Sequence, residues 1–133
     1  MKLTSRSEYA LLALIHLARA EESEYVPALS IAEAQGLPPK FLEQILLALK
    51  RGRLVKSLRG KQGGYQLARP ANKISLAEII RLLDGALAPT DSVSRYFYMP
   101  TPVEREKRLL RVFKEIRDVV SAQLEKTTLA DVR

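Results

Sequence analysis

Residues 28–51 read ALSIAEAQGLPPKFLEQILLALKR and hold two apolar patterns separated by a turn. Leu29, Ile31 and Ala32 open a short helix with Ser30 near its start. Gly36 follows Gln35 as a helix stop, because glycine takes the left-handed conformation that ends helices without strain. Leu37 is an apolar residue inside the turn. Pro38-Pro39 suit the first positions of a second helix, where the missing N–H has no partner to lose. From about Pro39 to Arg51, Leu42, Ile45, Leu46 and Leu49 repeat at helical spacing. Lys40, Glu43, Gln44, Leu47 and Lys50-Arg51 fall on or near the other side. Two short helices joined by a glycine-containing turn form the helix-turn-helix pattern.

Beyond Gly52 the apolar period changes. Leu54–Leu58 and Tyr65–Ala68 read as two short strands around the basic, glycine-rich tip Arg59-Gly60-Lys61-Gln62-Gly63-Gly64. Glycines accept the positive φ angles of a tight tip and let backbone approach another molecule closely. Strand, basic tip, strand after a helix-turn-helix reads as a wing. Upstream, residues 7–18 are strong helix formers, apolar nearly all round, so that helix is expected in the core with His16 in a structural role. Val26-Pro27 reads as a short extended segment that Pro27 confines to a sheet edge. Downstream, Asn72 or Ser75 caps a helix from Leu76 to about Leu83, stopped by Asp84-Gly85.

A linker with Tyr96-Phe97-Tyr98 leads to Pro100 and Pro102, with Thr101 as a cap for the next helix. From about Val103 to Lys126 runs a long charged helix whose seam is Leu109, Phe113, Ile116, Val120 and Leu124, with Gln123 beside it. Pairing with a second copy would bury that seam, and folding back on its own domain is the alternative. The expected architecture is mainly α with a small β-hairpin: a winged helix-turn-helix over residues 1–85 (helix-turn-helix 28–51, wing 54–68), a linker over 86–102, and a dimerisation helix and tail over 103–133.

The net charge of +7 is unevenly placed. Residues 40–73 carry nine basic side chains and one acid, Glu43, while the remainder is close to neutral. This is the electrostatic footprint of a polyanion partner. The absence of cysteine excludes disulfides, thiolate chemistry, zinc fingers and cysteine-ligated clusters, so no metal or cofactor is expected. With one histidine, no paired carboxylates and no nucleophile triad, enzymatic chemistry is not expected. No apolar run reaches the length of a membrane span and no signal peptide is read, so the cytoplasm is the expected compartment. The tip glycines lack the Walker spacing and do not lead into a helix, which excludes a nucleotide loop.

These elements assign roles on double-stranded DNA. The second helix of a helix-turn-helix enters the major groove, where Lys40, Glu43 and Gln44 reach base edges. Gln44 suits adenine and Glu43 the exocyclic amine of cytosine. Glu43 weakens attraction to phosphate, so it has either a readout role or a surface pairing with Lys40. Arg59, beside Gly60, suits a narrow minor groove. Arg53, Lys56 and Lys61 suit phosphates, and Lys50, Arg51, Gly63 and Gly64 complete the DNA-binding set. Asp91, Tyr96, Phe97 and Tyr98 either line an effector pocket or plug the space between linker and long helix. A winged-helix adaptor for proteins, governed by a metabolic enzyme or small molecule, is the competing function.

Taken together, residues 1–5 with Tyr9-Ala10, 31–32, 35–37, 41–46 with Leu49, 52–55, 57–60, 63–68, 74–80 and 127–132 closely resemble the Rrf-two family of bacterial regulators, of the IscR/NsrR/CymR type. The resemblance implies a homodimeric winged-helix factor on a partly palindromic operator, probed by Glu43 and Arg59. Cluster-binding members carry three cysteines between the positions of Asp84 and Arg111; this chain has none there. It therefore looks like the cluster-free branch, whose members answer to a partner protein, a small molecule or nothing.

Overall fold

The computed structural model describes all 133 residues. The chain begins with α1 (Ser5–Arg19), which Thr4 caps by accepting the amide of Ser7. α2 (Ala28–Gln35) and α3 (Pro39–Arg51) come next, separated by Gly36 at φ +66°. Leu37 is buried in that turn and its amide closes on the Ala32 carbonyl at 2.9 Å, so the turn is held by both packing and hydrogen bonding. Leu42, Ile45, Leu46 and Leu49 are fully buried, and Tyr9 meets Phe41 edge-on at 5.4 Å. Burying that stripe against α1 and α2 leaves the opposite face of α3 in solvent.

β1 (Val55–Leu58) and β2 (Gly64–Leu67) pair antiparallel, Val55 opposite Leu67 and Leu58 opposite Gly64. Val26 adds a one-residue bridge on the outer edge, exchanging two 2.8 Å bonds with Tyr65. Pro27 next to it ends the pairing, since it has no N–H to give. A 3₁₀ turn (Ala71–Lys73) leads to α4 (Leu76–Asp84), which Ser75 rather than Asn72 caps, by accepting the Glu78 amide.

Two expectations are corrected beyond this point. The long helix α5 spans Lys107–Lys126 and does not start at Val103; Pro102–Arg105 form a separate 3₁₀ turn, broken from α5 by extended backbone at Glu106. Thr101 caps nothing: its hydroxyl donates to Ser92 at 2.7 Å, tying the linker to itself. After α5 the chain turns back. A capping box at Thr128 and Asp131 starts α6 (Leu129–Val132), and Leu129 is fully buried in the same core as Leu14 and Leu49. Backbone bonds from Leu76 to Thr127 and from Leu129 to Ile74 hold the tail there.

Candidate nucleic-acid interface

Lys40, Glu43, Gln44, Leu47, Lys50 and Arg51 are all exposed on α3. Positions 40, 43, 44, 47 and 51 recur at intervals of three and four, so they share one face, opposite the buried stripe. Glu43 has no cation within ion-pairing distance, and the pairing with Lys40 that the sequence allowed does not form. The carboxylate stands free in a basic surface.

The hairpin projects beside this face. Arg59, Gly60, Lys61 and Gln62 are exposed at its tip, which the Gly63 amide closes on the Gly60 carbonyl at 3.0 Å. Gly60 has φ +111° and nothing near its missing Cβ, so its surface is open to a close approach. Gly63 and Gly64 work differently from the expectation that they serve a bound molecule. Gly63 is buried, and a Cβ there would meet the Leu58 carbonyl oxygen at 2.1 Å. At Gly64 (φ +149°) a Cβ would lie 2.3 Å from the Val26 carbonyl. Both let the three extended segments of the wing come together, and the buried Gly63 is not available to a ligand as a surface.

The density of uncompensated cations sets residues 40–73 apart. Of the nine basic residues in 40–73 only Arg69 has a carboxylate partner, Glu78; Lys40, Lys50, Arg51, Arg53, Lys56, Arg59, Lys61 and Lys73 are exposed and unpaired. Outside that stretch Arg81 pairs with Glu125 at 2.7 Å, and Arg117 and Arg95 pair with Asp118 at 2.8 and 3.4 Å. The hydrogen bond from Arg117, aided by Arg95, holds the Asp118 carboxyl below its usual range. An exposed, uncompensated cationic surface around a solvent-facing helix and a hairpin tip suits a regular polyanion.

Comparison with known proteins fits this geometry. A family described as Rrf2, iron-dependent transcriptional regulator, matches residues 3–133. The chain belongs to the Rrf2 family. It is 40% identical over 135 residues to a putative HTH-type transcriptional regulator of Mycobacterium tuberculosis, covering 99% of this chain and 81% of that protein. It is 33% identical over 132 residues to the HTH-type transcriptional regulator CymR of Bacillus subtilis, covering 99% and 89%. The solved structure of B. subtilis CymR superposes with a TM-score of 0.80 at 32% identity, covering 99% of this chain and 95% of that one. The winged helix-turn-helix of Rrf2 regulators is thus the fold of this chain, as the sequence predicts.

The iron in the Rrf2 description does not fit the residues of this chain. There is no thiol, and nowhere do three or more His, Asp or Glu side chains gather in a way that would hold a metal. The linker of this Rrf2 member is organised by hydroxyls instead, with Thr101 between Ser92 and Thr90 (2.7 and 3.3 Å). The reading of its aromatics as a plug is corrected. Tyr96, Phe97 and Tyr98 are 68%, 45% and 55% exposed, so they do not plug the space beside α5; Leu87 and Val93 are the buried residues there. Asp91 and Tyr98 do not line the recess of about 10 Å³ at Tyr96 and Phe97. Tyr96 instead packs its ring under the Arg81 guanidinium, 4.8 Å away. Tyr98 donates to Glu104 at 2.6 Å, which pushes its phenol above the ordinary range.

α5 has two apolar faces, and the sequence reading merged them. Phe113, Val120 and Leu124 are half-buried on the side turned to their own chain, with Arg117 donating to the Val93 carbonyl at 2.9 Å. Leu109, Val112, Ile116 and Val119 are exposed, Val119 at 71%. Their spacing of three, four, three is a heptad seam. Val112 and Val119 were missed, although that spacing is readable in the sequence, because Phe113 and Val120 compete for the same register.

Proposed function

We propose that the protein is a DNA-binding transcriptional regulator that acts in the cytoplasm as a homodimer on a partly palindromic operator and represses from it. The observation that carries this reading is the group of seven exposed, unpaired cations on α3, the wing and the junction between them. α3 lies in the major groove, where Gln44 reads adenine and the free carboxylate of Glu43 accepts from cytosine. Arg59 enters the adjacent minor groove over the open backbone of Gly60. Lys40 reaches base edges beside Glu43 and Gln44, while Lys50, Arg51, Lys56 and Lys61 hold phosphates and set register. The second copy covers Leu109, Val112, Ile116 and Val119. Two-fold symmetry of the protein then requires two related half-sites about one helical turn apart. The exposed aromatics of the linker, with no cavity of useful size beside them, suit a protein effector better than a small molecule.

The test is selection of bound fragments from genomic DNA, and then footprinting of the purified protein at several salt concentrations. A protected, two-fold site whose affinity falls steeply with salt is expected. No protected site, or an affinity indifferent to salt, overturns the reading. Within a selected site, Glu43→Ala relaxes discrimination at one base pair per half-site by about 1–3 kcal/mol. If its sequence preference equals the parent's, Glu43 has no readout role.

A further inference from the structure

Arg53 is the one residue other than glycine that the chain holds at positive φ, at +60°. A side chain with a Cβ is strained in this left-handed conformation and glycine is not. The position is also a helix ending of the kind glycine normally takes. The Arg53 amide donates to Lys50 and the Leu54 amide to Leu49, at 3.0 and 2.9 Å, wrapping the last carbonyls of α3. A glycine is present, but one residue early. Gly52 has φ −79° and needs no left-handed freedom. It lies against α4 instead: a Cβ there would come within 2.4 Å of a methyl of Leu82, a half-exposed side chain. The glycine thus stands one residue before the strained place, which an arginine takes.

That arginine has no use inside the chain. It is exposed, and no carboxylate lies within ion-pairing distance. It sits at the junction of the two elements that face DNA, two residues after α3 ends and two before β1 starts. An observed backbone outlier of this kind points to a function for the side chain. We propose that Arg53 is the phosphate anchor at the pivot between α3 and the wing, binding the duplex backbone where it passes from one to the other. Strain in the free protein is retained because only this position places a guanidinium there. The proposal rests on the DNA-binding reading above.

Thermal unfolding and binding to one selected duplex across a salt series test it, with Arg53→Gly, Arg53→Lys and the parent. Arg53→Gly unfolds at a temperature about 2 °C higher, since relief of the left-handed strain exceeds the added freedom of the unfolded chain. The same variant binds about tenfold more weakly, the effect of one lost charged hydrogen bond. Its slope of log affinity against log salt is smaller by about one, the signature of one phosphate contact. Arg53→Lys keeps the slope and the parent's unfolding temperature. The proposal is overturned if Arg53→Gly binds with the parent's affinity and slope, or if it unfolds no higher than the parent. A parent protein that shows no salt-dependent binding to any duplex removes the DNA reading itself, and this proposal with it.

Discussion

The amide and the hydroxyl of Thr4 both donate to the carboxylate of Asp84, 80 residues further along the chain, the amide at 3.1 Å. The same hydroxyl accepts from Ser7 and so caps α1, while Asp84 is the last residue of α4. One short side chain thus ties the start of the first helix to the end of the helix that leads into the linker. Burial works against the Asp84 charge, but the two Thr4 donors, with Ser7 and Arg6, outweigh it and lower the carboxyl below its ordinary value.

Stability therefore depends on acid in a defined direction. A depressed folded-state value means that the Asp84 contribution is present in full above the unfolded value of about 4 and disappears as pH falls through the lower folded value. Urea unfolding at pH 7 places the parent above Asp84→Asn, and the gap closes below about pH 4. A gap that stays constant down to pH 2 contradicts the assignment. Thr4→Ala loses about 1 kcal/mol as a helix cap alone, and more with the Asp84 bonds gone.

The wing glycines should separate by role. Gly60→Ala meets no atom and carries only the strain of its positive φ, about 1 kcal/mol. Gly64→Ala drives a methyl into the backbone of Val26 and Pro27, which cannot move aside like a side-chain tip. It should lose about 3 kcal/mol or more. Equal losses in denaturant unfolding contradict the packing explanation.

Leu129→Ala reports whether the tail belongs to the core. A fully buried leucine truncated to alanine loses about 2–5 kcal/mol. Val132→Ala, three residues on and exposed, should change stability by less than about 0.5 kcal/mol.

Ile116→Lys places a charge in the middle of the exposed α5 seam. Analytical ultracentrifugation should show the mass falling from that of a pair to that of one chain of 14.9 kDa. Affinity for a two-half-site duplex should fall with it, while far-UV circular dichroism stays the same. Lys114→Glu, off the seam on the same helix, should leave the mass unchanged. A monomeric parent contradicts the proposed homodimer.

Much of this was readable from one dimension because it rests on local chemistry. The helical spacing of Leu42, Ile45, Leu46 and Leu49, the stop at Gly36 and the prolines at 38 and 39 are constraints between near neighbours. Each is met in the structure where the sequence places it. The basic segment is likewise visible by counting. The linker was not legible: Tyr96, Phe97 and Tyr98 look like core by composition, and only the packing of Leu87 and Val93 in their stead puts them outside. The start of α5 was missed because Pro102 permits a helix to begin, while the extended backbone at Glu106 is set by contacts of the preceding turn.

The sequence by itself determined the helix-turn-helix, the hairpin after it and the sign of their surface, because periodicity, turn chemistry and charge act over a few residues. The tertiary structure alone decided which of these charges stay unpaired, since partners such as Glu78 for Arg69 and Glu125 for Arg81 are brought together by folding. It also decided that the last helix packs into the same core as α1 and α3 and that Arg53 takes the left-handed conformation after α3. Those facts depend on contacts between distant segments, which no local pattern encodes.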